Sequence, residues 1–152
     1  MHRFPTKEAL FFASAQRFRE VSPRPRLADD DTEQPLEELK EACRVLLRHS
    51  LNPRTIGFFR VAIGVAERVV GLSEFILDWD NENALQIQKI VLKAQRKRVF
   101  ERHSAASIAT AVIGVMVSNP INRALLGDAQ FKDEHLTDLY FSQMWAIFLS
   151  MA

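Results

Sequence analysis

Residues 35–47, Pro35-Leu36-Glu37-Glu38-Leu39-Lys40-Glu41-Ala42-Cys43-Arg44-Val45-Leu46-Leu47, put Leu36, Leu39, Cys43, Leu46 and Leu47 at three- and four-residue spacing. Glu37, Glu38, Lys40, Glu41 and Arg44 fall on the opposite side. Residues so spaced share one face of a helix with 3.6 residues per turn, so this is an amphipathic helix with one stripe turned to a core. Downstream, Asn52-Pro53 combines an N-cap with a proline at the first helical position and starts a helix through Phe58, Phe59, Ala62, Ile63, Ala66 and Val69. Gly71 is expected to close it. Another helix is predicted from about Ser73 to Phe100, with Asn81-Glu82-Asn83 as a possible interruption and a basic end at Lys93, Arg96, Lys97, Arg98 and Arg102. Upstream, Thr6 is a good N-cap, Glu8 lies in the first turn, and the helix runs to about Glu20 before Ser22-Pro23-Arg24-Pro25 stops it. No stretch shows the period-two alternation and tight turns of a β-hairpin, so the fold class is all-α, a helical bundle.

Three regions follow from this pattern: a first helix within 1–20, a linker over 21–35 and a helical body over 36–152. The linker carries prolines and Asp29-Asp30-Asp31 and has too little apolar surface to offset the entropy of ordering. Within the body the last two helices stand apart. Ala105 to Val117 mixes small residues with Ile108, Val112, Ile113, Val115 and Met116 and has almost no polar face. The final helix, from about Asp133, has one stripe of Leu136, Leu139, Tyr140, Met144, Ile147 and Met151 and a second of Phe141, Trp145, Phe148 and Leu149. A domain core occupies one stripe, so the spare faces predict a four-helix bundle shared by two chains. Ala109, Val112, Leu136, Tyr140, Met144 and Ile147 are the expected homodimer interface.

Bulk properties set limits on function. With 152 residues the chain suits one domain, and 47% hydrophobic with 26% charged residues is a globular balance. A net charge of +1 supplies no field to hold nucleic acid non-specifically. Cys43 is the single cysteine, so no internal disulfide forms, and a cytoplasmic location is the expectation. The basic start followed by Ala9-Leu10-Phe11-Phe12-Ala13 imitates a signal peptide, but Glu8 abuts a short run that an amphipathic helix explains. The uncharged run 104–122 loses its apolar character at Ser118-Asn119-Pro120, so no membrane span is read there.

Beyond these physical readings, His2-Arg3-Phe4-Pro5-Thr6-Lys7-Glu8-Ala9-Leu10-Phe11 resembles the segment that closes the helix-turn-helix of TetR/AcrR-family transcriptional regulators. Residues 53–72, with Phe-Arg-x-x-Ile and a later Glu-Arg, resemble the family's regulatory domain. Asn122-Arg123-Ala124-Leu125-Leu126-Gly127 is similar to its link between the last two helices. The resemblance implies a TetR-like regulatory fold, a repressor-type function, homodimerisation and a small hydrophobic effector. It also implies that residues 1–20 are the closing helix of a DNA-binding domain, with Lys7 and His2 as phosphate contacts. In the family the base-reading helices precede this motif. The expectation is therefore that this chain does not bind operator DNA alone, because phosphate contacts carry no sequence information. The rival expectation is a helical interaction protein that heterodimerises with a full-length regulator.

Effectors of such regulators bind among the middle and later helices, which makes Phe58, Phe59, Ala62, Phe75, Trp79, Ile113, Met116 and Phe141 the expected lining. Arg60, Glu67, Asn119 and Gln143 are the polar groups that would orient a ligand. His2, His49, His103 and His135 have no metal-ligand spacing, and neither a metal nor another cofactor is expected. His49 and His103 read as residues near helix ends that favour the C-terminal dipole. Nucleophile elbows, phosphate loops and paired acids are absent, so the chain is expected not to be an enzyme.

Overall fold

The computed structural model describes residues 6–24, 27 and 33–152. His2, Pro25 and Asp29-Asp30-Asp31 lie outside the described residues, as do the other expectations placed on 1–5 and 28–32. The described chain is α-helical, without strands among the described residues: α1 (Lys7–Val21), α2 (Pro35–Leu51), α3 (Pro53–Val65), α4 (Leu72–Arg96), α5 (Ala105–Ile113), a π-helical turn (Gly114–Ser118), α6 (Asn119–Leu125), a 3-10 turn (Ala129–Lys132) and α7 (Glu134–Ser150).

Capping residues account for most of the starts. The hydroxyl of Thr6 accepts from the Ala9 N–H, the Asn52 side chain from Arg54, the Ser104 hydroxyl from Ser107 and the Asp133 carboxylate from Leu136. Each satisfies an N–H that the first helical turn leaves without a partner. Some boundaries differ from those predicted. α3 ends at Val65, and turns lead to Gly71, whose φ of +82° suits glycine; a Cβ there would sit 3.4 Å from the Phe12 ring. α4 runs unbroken across Asn81-Glu82-Asn83, because Ile76, Ile87, Ile90 and Val91 hold its inner side in apolar contact on both flanks.

The main core joins α2, α4, α5, the π turn and α7. Leu39, Cys43, Leu46, Ile87, Ile90, Val91, Ala109, Val112, Met116, Phe141, Trp145 and Phe148 are buried in it. Cys43 is one of its fillers, and burial pushes its thiol pKa up to about 12, which leaves the reactive thiolate scarce at neutral pH. Lys93 does not belong to the exposed basic end. Its ammonium donates to both carboxylate oxygens of Glu38, at 3.1 and 3.3 Å, inside the α2–α4 contact.

The α4–α5 connection is tightly made. Arg98 and Phe100 have φ of +63° and +59°, and the Gln95 side chain donates to the carbonyls of Phe100 and His103 across the turn. His103 therefore precedes the cap of α5, with its carbonyl engaged by Gln95, instead of ending α4. Arg98 is exposed, and an L-residue in the left-handed region is disfavoured relative to glycine. Arg98→Gly is expected to stabilise the fold by about 0.5 kcal/mol, read as a higher denaturation midpoint in urea.

The helical run from Ala105 does not stop at Ser118-Asn119-Pro120. It continues to Leu125, 21 residues in all, and reaches a length and apolarity compatible with a membrane span. Its inner side is occupied by core contacts, while the outer side presents Ser107, Thr110, Gly114, Ser118 and Asn122, which does not favour a spanning role. Pro120 lacks an N–H and its ring crowds the carbonyl four residues back; the wider π turn at 114–118 relieves both problems, so the chain stays helical.

Candidate functional site

The residues expected to line one pocket separate into two groups. Phe58, Phe59, Phe75 and Trp79 belong to an aromatic layer between α1, α3 and α4. Ile113, Met116 and Phe141 belong to the main core, where Met116 and Phe141 are fully enclosed by protein. Ala62 is buried too. The expectation of a single lining is thereby corrected: helical spacing registers a side chain as apolar and inward without saying against which neighbour it packs.

In the aromatic layer, Phe18 of α1 stacks on Phe58 of α3 with centroids 4.5 Å apart and planes 4° from parallel. Phe58 meets Phe59 edge-on at 5.2 Å, Phe59 meets Trp79 of α4 at 5.8 Å, and Trp79 returns to Phe18 at 6.1 Å. These four rings form a closed circuit drawn from three helices. Phe11 extends the stack on Phe58 at 5.8 Å, and Phe12 packs on Phe75 at 5.4 Å. All of these rings stay partly open to solvent, unlike Phe100, Phe131, Phe141, Trp145 and Phe148, which are buried. Arg19 secures the far end of α1 by donating to Asp78 at 3.0 Å and to Glu82.

His49, in the last turn of α2, lies beside Phe18 at 6.2 Å. Its Nε2 is buried and has no hydrogen-bond partner. Burial lowers its pKa below the usual imidazole value, which favours the neutral ring. Neither His49 nor Phe18 was among the expected lining residues. The spacing of Phe11 and Phe18, two turns apart on α1, is the signal that points to the aromatic face. Nothing comparable marks His49, because the Phe18 ring beside it comes from a different helix.

The polar groups expected to orient a ligand serve structural ends where their contacts are visible. Arg60 donates to the carbonyls of Ala124 and Leu125 at 3.1 and 3.2 Å and so caps α6. Asn119 donates to the Tyr140 hydroxyl at 3.1 Å, and that hydroxyl donates to the Val115 carbonyl at 2.6 Å. Glu67 and Gln143 are exposed. A shallow depression of about 300 Å³ is lined by Arg123, Leu126, Gly127 and Asp128, away from the aromatic layer. There Arg123 and the Gln130 N–H hold the Asp128 carboxyl below its ordinary pKa, with the backbone bond the larger influence.

The expected dimer-interface residues also divide. Ala109 and Val112 are buried within their own chain, at 2% and 0% exposure, and have no surface to offer a partner. That part of the expectation is corrected, because Ala105, Ile108, Ala109, Val112 and Met116 form the face of α5 and its continuation that meets the core. The outward face is instead Ala106, Ser107, Thr110, Ala111, Gly114 and Val115. On α7, Met144 packs partly on the core, whereas Leu136, Leu139, Ile147 and Met151 are exposed at 41–64% and Tyr140 is half-buried. Thus α7 has a Phe141, Trp145 and Phe148 side facing inward and an apolar stripe facing outward. The Tyr140–Val115 bond joins that stripe to the small-residue face.

Lys7 is exposed in the first turn of α1. Among the described residues, no group of three His, Cys, Asp or Glu side chains is placed to hold a metal ion. No family model matches this chain, and no curated protein or solved structure matches it.

Proposed function

We propose that this chain is the effector-sensing and dimerising body of a transcriptional regulator of the TetR type. The observation that carries the reading is the outward apolar stripe of Leu136, Leu139 and Ile147 on α7 with Met151 at its C-terminal cap, joined through the Tyr140–Val115 bond to the π turn that continues α5. Large exposed aliphatic residues repeated on one helix face mark a surface that another protein covers. Small side chains next to them let a second pair of helices approach closely. With 17 residues, α7 is about 25 Å long, enough to carry its apolar stripe over several turns of a partner helix.

An isologous two-fold contact through α5 and α7 then forms a four-helix bundle. The motif around Thr6 and Lys7 supports the regulator reading, as does the second, incompletely covered aromatic layer under α1. In this reading the effector is small and hydrophobic.

Light scattering across a dilution series tests the proposal. A dimer at micromolar concentration is expected, and Ile147→Glu is expected to convert it to a folded monomer, because the two-fold axis brings two buried charges into one interface. A folded monomer for the unaltered chain would overturn the shared bundle.

A further inference from the structure

Phe18 occupies a singular place in the aromatic circuit, since it stacks on Phe58 at 4.5 Å and also adjoins His49 at 6.2 Å. The His49 Nε2 is buried without a hydrogen-bond partner, and the phenyl ring of Phe18 beside the imidazole cannot supply one. A buried nitrogen left unpaired is costly, and such atoms are uncommon in folded proteins. We infer that the Phe18, Phe58, Phe59 and Trp79 quartet is a binding site for a small, neutral, planar molecule bearing one hydroxyl group, a phenol by chemical class. Its ring takes the place of the Phe18 ring and its hydroxyl bonds to His49 Nε2.

This inference deepens the effector-sensing reading and rests on it. Exchange of one six-membered ring for another keeps the stack on Phe58 and the contact with Trp79, so apolar burial changes little. What the ligand adds is the hydrogen bond that Phe18 cannot make. A hydroxyl both donates and accepts, and so completes Nε2 in either tautomer of the neutral imidazole. The desolvation that keeps His49 neutral withholds the cation that a carboxylate ligand would need. Phe18 is only partly buried, and the site requires its ring to turn toward solvent.

The probes are phenol and toluene, titrated into the whole chain and followed by the NMR signals of the His49 imidazole and the Trp79 indole. Phenol is expected to bind about tenfold more tightly than toluene and to shift the His49 signal, as a hydrogen bond to an otherwise unpaired buried group requires. Phe18→Ala is expected to tighten both ligands by vacating the space, and His49→Leu to abolish the preference for phenol. Equal affinities, an unmoved His49 signal at saturation, no binding even to Phe18→Ala, or a preference that survives His49→Leu would each overturn the inference. If His49→Leu does not fold, the His49 shift in the unaltered chain decides alone. Dimerisation is read by mass and this site by chemical shift, so failure of the shared bundle and failure of the phenol site are distinguishable.

Discussion

Lys93→Met is expected to lower the free energy of unfolding by about 3–5 kcal/mol, measured by urea denaturation, because it removes the cation from a buried ion pair and leaves the anion inside. Lys93 and Glu38 are 5% and 8% exposed, and the ammonium lies within hydrogen-bond reach of both carboxylate oxygens. Taking the pair out of water is expensive, so the contact need contribute little net stability while it is intact. Its loss on one side only is a different matter. The double replacement Lys93→Met with Glu38→Leu is expected to recover most of the loss, since apolar side chains of similar size can replace a buried pair at little cost. A single replacement costing less than about 1 kcal/mol would show that Glu38 is compensated without Lys93.

Phe141→Ala is expected to cost about 3–5 kcal/mol, a large share of the stability of a domain this size, whereas Phe59→Ala is expected to cost about 1–2 kcal/mol. Phe141 is 2% exposed in the core, with the Arg44 guanidinium 4.8 Å above its ring, so truncation leaves a cavity that rigid neighbours cannot close. Phe59 lies in the partly open aromatic layer, where water or neighbouring rings can move into the space. Chemical denaturation of the two variants side by side tests whether these residues, which have the same apolar signature in sequence, belong to different environments. Similar losses would return them to one common lining.

The helical class and most helix starts were legible in the chain before any packing was considered. Thr6, Asn52, Ser104 and Asp133 each cap the backbone within three residues of themselves, and the α2 spacing needs only the geometry of one helix to define its inner face. The end at Val65 was not legible, since Ala66 and Val69 continue the same apolar pattern and only Gly71 against Phe12 requires the turn to come earlier. Nor was the passage through Pro120, which depends on a π turn that no short-range pattern announces.

The candidate surfaces show the same division. The two-sided character of α7 was determined by the sequence, because Phe141, Trp145 and Phe148 sit on one side of any helix that also carries Leu136, Leu139 and Ile147 on another. On α5 both sides are small or apolar, so periodicity cannot choose between them. Packing against α2 and α4 decided that Ala109 and Val112 point inward and that Ala111 and Gly114 face out. Tertiary structure alone paired Lys93 with Glu38, 55 residues apart, and brought Phe18 of α1 beside His49 of α2, whose Nε2 is buried. Local hydrogen bonds and helical periodicity are written within a few residues of chain, whereas the partner of a buried charge or an unpaired nitrogen is set only when distant helices meet.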